Sequence, residues 1–246
     1  MKNDSNSITR RQALARIGGA ALGTALTPRL LASEVPQESQ SARPASGPRQ
    51  QKPNILWITA EGVPLNALSC YGSQLIRTPH IDRLANEGMR FDNSFTTNAL
   101  CAPSRATLLT GKYSHLNGMV SNPAETTDGE THPTFDASQE TLPKILKRNG
   151  YQTGMVGKWH LPANPGETGF DYFIFKNGSG GPYYDPNGYL RNTELGSNTI
   201  VHKSYPGYIT DNVTNFAIEG MKQFTRPFLM MVQFFNDHRP FDPPHH

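Results

Sequence analysis

The chain has 246 residues, 36% of them apolar and 17% charged, a balance that supports one sizeable buried core and excludes wholesale disorder. Its formal net charge of +3 comes from the N-terminus: residues 1–32 hold five basic residues and one acid, leaving 18 basic against 19 acidic residues behind Ala32. No basic arm or patch remains to contact nucleic acid, and two cysteines, Cys70 and Cys101, are too few for a disulfide framework.

Thr9-Arg10-Arg11-Gln12 precedes a short apolar stretch over residues 17–26, and Arg29 and Ala32 follow it. This pattern resembles a twin-arginine export signal ending near Ala32. The stretch is too short to cross about 30 Å of hydrocarbon as a helix, so the mature chain is expected to carry no membrane span. Export machinery of the twin-arginine type is then an expected partner, and a periplasmic or extracellular site the expected destination. The plainer alternative is a short amphipathic helix with a solvated arginine pair. Residues 33–52, rich in Ser, Gln, Pro and Arg, read as a tether.

From Pro53 the pattern becomes that of a folded domain. Ile55-Leu56-Trp57-Ile58-Thr59 is a compact apolar run of strand type, closed by the turn Ala60-Glu61-Gly62. Cys70 reads as a small buried residue at a strand-to-turn junction. A helix is expected over 81–87, ending at Gly88, and a strand over 90–95. Pro103, favoured at the start of helices, begins a helix over 104–110. Another spans 141–148, stopped by Asn149-Gly150, and leads into a strand over 151–156. Residues 164–206, rich in Gly, Tyr, Asn and Pro, read as an inserted loop region. A helix over 210–224 and a long apolar strand over 228–235 complete the series. Alternating strands and helices predict an α/β domain with a largely parallel central sheet flanked by helices. Chemistry in such sheets gathers beyond the carboxyl ends of the strands, and Glu61, Lys158 and His238 each follow a predicted strand.

The most informative run is Cys101-Ala102-Pro103-Ser104-Arg105, continued by Leu108-Leu109-Thr110-Gly111. Cys101 lies at a predicted helix start, where free backbone N–H groups and the positive dipole end favour an anion. The run resembles the active-site signature of the type I sulfatases, members of the alkaline-phosphatase-like superfamily. The resemblance implies that Cys101 is oxidised to formylglycine by a dedicated maturation enzyme. It also implies that Arg105 holds the modified side chain or a developing charge. Val156-Gly157-Lys158-Trp159-His160 matches a further motif of that family. By the resemblance Lys158 neutralises sulfate oxygens and His160 bonds near the nucleophile or ester oxygen. On a strand the two share a face, being two residues apart; taken alone they read equally as a solvated lysine and a structural histidine. Phe235-Asn236-Asp237-His238-Arg239-Pro240 resembles a third segment, which makes His238 the general acid on the leaving oxygen. The family usually has Pro where Asp237 stands.

The metal position departs from the pattern. Sulfatases generally carry two adjacent acids after the first strand, bound to calcium, whereas this chain has Glu61-Gly62. The resemblance makes Glu61 and the converted Cys101 metal ligands, with Ca²⁺ the expected ion and Mg²⁺ or Mn²⁺ as alternates; Glu61 as a plain polar turn residue is the other reading. The implied activity is hydrolysis of a sulfate ester, on a sulfated sugar or glycan, and Thr110-Gly111-Lys112-Tyr113-Ser114-His115 looks most like glucosamine-sulfate-directed members. A phosphonate or phosphodiester hydrolase on the same scaffold, or a non-catalytic remnant, are the rival readings. The resemblance covers 53–246 and only the N-terminal part of a sulfatase catalytic domain, so this polypeptide alone is expected to be inactive.

Overall fold

The computed structural model describes residues 52–123, 134–178, 181–186, 189–236, 238 and 243–244. The export signal and the tether up to residue 51 lie outside the described residues, as do Asp237 and residues 239–242.

Six strands form one sheet in the order β1-β6-β2-β3-β4-β5: β1 (Ile55–Thr59), β2 (Gln152–Lys158), β3 (Tyr172–Lys176), β4 (Tyr189–Asn192), β5 (Ile200–Lys203) and β6 (Phe228–Gln233). The pairings β1–β6, β6–β2 and β2–β3 are parallel, as alternation with helices predicts. The pairings β3–β4 and β4–β5 are antiparallel, so the sheet is mixed, with a parallel centre.

The centre is built from strands buried on both sides. In β6, Leu229 and Met231 face one apolar cluster and Met230 and Val232 the other, the two-residue alternation of a pleated strand. On the first side lie Ala102, Ala106 and Leu109 of α2 (Cys101–Thr110), with Leu142 and Leu146 of α4 (Leu142–Arg148) packed against the cluster. On the second lies α5 (Ile209–Gln223), which buries Ile209, Val213, Phe216 and Ala217 at helical spacing. Burying each of its larger apolar side chains contributes about 1.5–3 kcal/mol. The remaining helices, α1 (Pro79–Glu87) and α3 (Ser114–Asn117), precede the second strand.

Several sequence expectations are corrected. No strand forms over 90–95: Asp92-Asn93-Ser94 breaks the run, Phe91 and Phe95 stay exposed, and Arg90 instead bonds Asp92 and the Cys70 carbonyl. Residues 164–206 are more than loop, because β3, β4 and β5 run through them; β3 is a doubly buried strand whose aromatic residues Tyr172, Phe173 and Phe175 fill both clusters. Cys70 sits in a short 3-10 turn, Ser69–Tyr71, only partly buried, and not at the end of a strand.

Edge strand β1 is unusual. Leu56 and Ile58 are 51% and 55% exposed, although they stand opposite Met230 and Val232, which are buried on the neighbouring strand. Neither is among the residues packed against the cluster that α5 covers.

Candidate active site

The carboxyl ends of β1, β2 and β6 lie side by side, and the N-terminus of α2 meets them there. Helix α2 starts three residues before the expected position, so Cys101 is its first residue and not its flank. Two asparagines explain the early start. Leu100 N–H donates to Asn98 Oδ1 (3.1 Å), and Ala102 N–H donates to Asn122 Oδ1 (2.9 Å), satisfying donors that a helix start leaves open. Gly111, at φ 67°, ends the helix in the left-handed conformation that glycine adopts without strain.

Glu61 is the hub. Its backbone N–H donates to the Asn236 carbonyl (2.7 Å), tying the loop after β1 to the loop after β6. Its Oε1 accepts from Cys101 Sγ (2.8 Å) and Lys158 Nζ (2.6 Å), and its Oε2 from Arg105 Nη2 (3.0 Å). Lys158 is 0% exposed, a buried ammonium whose only ion pair among the described residues is with Glu61. Arg105 is also buried, and its Nη1 donates to the Lys158 carbonyl (3.1 Å) and to Gln233 Oε1 (2.5 Å). Burial pushes the Glu61 carboxyl up, but hydrogen bonds from Cys101 and Lys158 and the two cations outweigh it and hold it below its ordinary value. Burial, then the bond to the Glu61 carboxylate, pushes the Cys101 thiol up. Both cysteines are free thiols, so no Cys70–Cys101 bridge forms.

His160 reaches this region by a route the sequence did not indicate. The strand ends at Lys158, and His160 turns out of it with φ 60°, so the shared-face argument fails. Its backbone N–H donates to Asn177 Oδ1 (3.1 Å), while Nδ1 is buried with no partner among the described residues. Burial, then Lys158 and Arg105, depress its pKa to about 4, leaving a neutral imidazole at pH 7. His238 is held through its backbone: its N–H donates to the Phe235 carbonyl (3.0 Å), and its own carbonyl accepts from Tyr183 O–H. Ligating atoms of Glu61, Cys101 and His238 all lie within 4.8 Å of one another. All six residues singled out in the sequence therefore come to one place. An open cleft of about 540 Å³ exposes Glu61, Cys101 and Arg105 along one wall.

Gln233 and Asn122 were not foreseen. Gln233 carried a signal, since a polar residue closing the otherwise apolar run Phe228-Leu229-Met230-Met231-Val232 needs a buried partner. Asn122 carried none, because its role arises only when a distant loop folds against the helix start.

The Glu61, Cys101 and His238 cluster can offer a metal ion one carboxylate, one sulfur and one imidazole nitrogen. Calcium takes six to eight oxygens. Both Glu61 oxygens are engaged by cations, and conversion of Cys101 would add oxygen donors at only one further residue. The described residues therefore do not complete a calcium sphere. Among them, no helix is long and apolar enough to cross a membrane.

Comparison with known proteins places this arrangement. The sulfatase family model matches residues 53–246. An N-acetylglucosamine-6-O-sulfatase of Bacteroides thetaiotaomicron is 43% identical over 197 residues, 78% of this chain and 32% of that protein. An N-acetylgalactosamine-6-O-sulfatase of the same organism is 40% identical over 143 residues, 56% of this chain and 27% of that protein. The solved structure of BT4656 in complex with its substrate D-glucosamine-2-N,6-O-disulfate superposes with a TM-score of 0.66 at 39% identity, covering 78% of this chain and 36% of that chain. The chain thus spans about a third of the length of these relatives. Its mixed sheet with flanking helices is the alkaline-phosphatase-like fold of those neighbours. Matched over most of its length, and with the Cys101 signature set at the carboxyl edge of that sheet, this chain belongs to the sulfatase family.

Proposed function

We propose that the chain contributes the nucleophile-bearing part of a sulfuric ester hydrolase acting on a sulfated sugar, through a formylglycine made from Cys101. The observation that carries this reading is the convergence of Cys101, Lys158 and Arg105 on Glu61 within 2.6–3.0 Å, at the carboxyl edge of the sheet. Two cations share one carboxylate there, so a positive charge is left over beside the nucleophile for a tetrahedral anion.

In the converted enzyme the aldehyde of residue 101 is hydrated. One geminal hydroxyl gives its proton to the Glu61 carboxylate that residue 101 bonds as its oxygen attacks sulfur, the bond between sulfur and the alcohol oxygen breaks, and His238 gives a proton to the departing alcohol. The second hydroxyl then gives its proton back to His238, the bond from carbon to the sulfate oxygen breaks, sulfate leaves as the aldehyde re-forms, and Glu61 releases its proton to water. A serine could perform the first half and would stop at a stable sulfate ester. Lys158 and Arg105 offset the anionic charge of the sulfuryl group, and the neutral His160 offers an uncharged partner near the same oxygens. A divalent cation of the family kind would polarise the sulfate when bound. Glu61, His238 and the converted residue 101 are the ligands the described residues can supply, and calcium, the ion the family resemblance implies, would need oxygens beyond these, so every step above stays on the side chains.

The sugar preference rests on the relatives named for N-acetylglucosamine and N-acetylgalactosamine 6-sulfates, with glucosamine sulfates the first class to test. The Thr9-Arg10-Arg11 segment, read as a twin-arginine leader, supports export to the periplasm or beyond. Peptide mass measurement across Cys101, after expression with the maturation enzyme, tests the nucleophile; an unmodified thiol removes the catalytic reading. Turnover by the converted protein would overturn the expectation that this polypeptide alone is inactive, and its preference for aryl sulfate or aryl phosphodiester would separate a sulfatase from a phosphodiesterase on the same scaffold.

A further inference from the structure

Arg105 heads into the site from α2, yet the group that fixes its other edge comes from β6. Gln233 is the last residue of that strand and is 4% exposed. Its Oε1 accepts from Arg105 Nη1 at 2.5 Å, on the same nitrogen that donates to the Lys158 carbonyl at 3.1 Å. The guanidinium is therefore clamped between a carboxylate, Glu61, on Nη2 and two neutral oxygens on Nη1. Gln233 is itself anchored, because its backbone pairs with Thr59 on one side and Gly157 on the other. The Gly157 approach is so close that a Cβ there would lie 2.0 Å from the Gln233 carbonyl oxygen.

The choice of an amide has an electrostatic consequence. A second carboxylate at position 233 would fix Arg105 equally well and would cancel its charge. An amide fixes the guanidinium and leaves the charge available, so Glu61 remains the only anion paired with Lys158 and Arg105 among the described residues. Any apolar side chain would continue the strand and would leave Nη1 one acceptor short inside the protein, a buried donor without its partner.

From this geometry we propose that Gln233 is a positioning residue for anion recognition: it holds Arg105 beside residue 101 without neutralising it. The assignment rests on the reading of this site as one that receives an anionic ester. Cys101 Sγ and Arg105 Nη2 donate to the two oxygens of the same Glu61 carboxylate, so the guanidinium is a near neighbour of the sulfur and its field can be read at the thiol.

The test uses the unconverted 246-residue chain, which still carries the Cys101 thiol. Alkylation rates with anionic iodoacetate and neutral iodoacetamide are measured peptide by peptide, with Cys70 as internal reference. The iodoacetate-to-iodoacetamide ratio at Cys101, relative to Cys70, reports the local positive field and is insensitive to a change in exposure that affects both reagents alike. Gln233→Met is expected to lower that ratio by about threefold or more. In an Arg105→Gln background the same substitution is expected to change nothing further, because Gln233 acts through Arg105. Gln233→Asn, whose amide is one methylene short of Arg105, is expected to behave as Gln233→Met does, and it carries the test should the Met variant not fold. An unchanged ratio in the Gln233 variants, or an equal fall in the Arg105→Gln background, overturns the assignment alone. A parent chain whose Cys101 shows no preference for the anionic reagent refutes the anion-site reading, and this assignment with it.

Discussion

Replacing Glu61 with Gln removes the one carboxylate that Lys158 and Arg105 share. Lys158 is 0% exposed and Arg105 nearly as buried, so neither cation can turn to water when its partner is lost. Breaking a buried ion pair by removing one partner costs about 3–5 kcal/mol. Here the Glu61 side chain keeps 14% exposure and the glutamine oxygen still accepts one hydrogen bond, so the lower end, about 3 kcal/mol, is expected. With a urea dependence of about 2 kcal/mol per molar, the unfolding midpoint should fall by about 1.5 M. The substitution also removes the charge that, after burial, holds the Cys101 thiol above its ordinary value, so alkylation at pH 8 should accelerate in the same variant. The folded-state Glu61 carboxyl lies below its ordinary 4.5, so its stabilisation is complete above that pH and is lost as pH falls through the lower folded value. Equilibrium urea unfolding of the purified chain and its E61Q variant is the assay. A midpoint change below about 0.5 M, with an unaltered Cys101 alkylation rate, would refute the hub role argued for this carboxylate.

Three further outcomes are expected. His160 is neutral when folded and ordinary when unfolded, so its contribution is full above pH 6.5 and is lost as pH falls toward about 4. The shift corresponds to at most ~3 kcal/mol, and partial exposure screens it to ~1–2 kcal/mol, which His160→Gln should remove from the pH 4–6.5 range of urea midpoints. Gly157→Ala should destabilise by more than about 3 kcal/mol in the same assay, because φ is +97° and the new Cβ would meet the Gln233 carbonyl; a loss under 1 kcal/mol would contradict that packing. Leu56→Lys with Ile58→Lys should weaken binding of a hydrophobic fluorescent dye while leaving thermal stability within about 0.5 kcal/mol per site, since both side chains already face solvent; an unchanged dye signal would show that this face is covered.

Much of the scaffold could be read along the chain. The strand expected over 55–59 forms there, and the elements expected over 141–148 and 228–235 form as Leu142–Arg148 and Phe228–Gln233, because local propensity and burial agree there. The segment at 90–95 reads as a strand and is none, since Asp92-Asn93-Ser94 breaks the run and no strand among the described residues pairs with it. The reverse happened in 164–206, where Gly and Tyr concealed a buried strand: β3 draws its stability from pairing with β2 and from aromatic packing on both faces, and neither is local. At the site, motif alone singled out Cys101, Arg105 and Lys158, and the fold brings all three onto Glu61. The role of Gln233 was not, because its meaning depends on an arginine 128 residues away in sequence.

Sequence by itself determined the chemistry available: a cysteine at a helix start, two cations, two histidines and one acid. It also determined the alternation of strands and helices, since hydrophobic periodicity is a local property. Tertiary structure decided how those groups share charge. Only the side-by-side ends of β1, β2 and β6 bring Lys158 and Arg105 onto the same carboxylate, and only burial makes that pairing strong enough to lower the Glu61 pKa against its own desolvation. Charge balance in a desolvated pocket depends on distances of a few ångströms, and those are set by strand order and packing, which no linear spacing encodes.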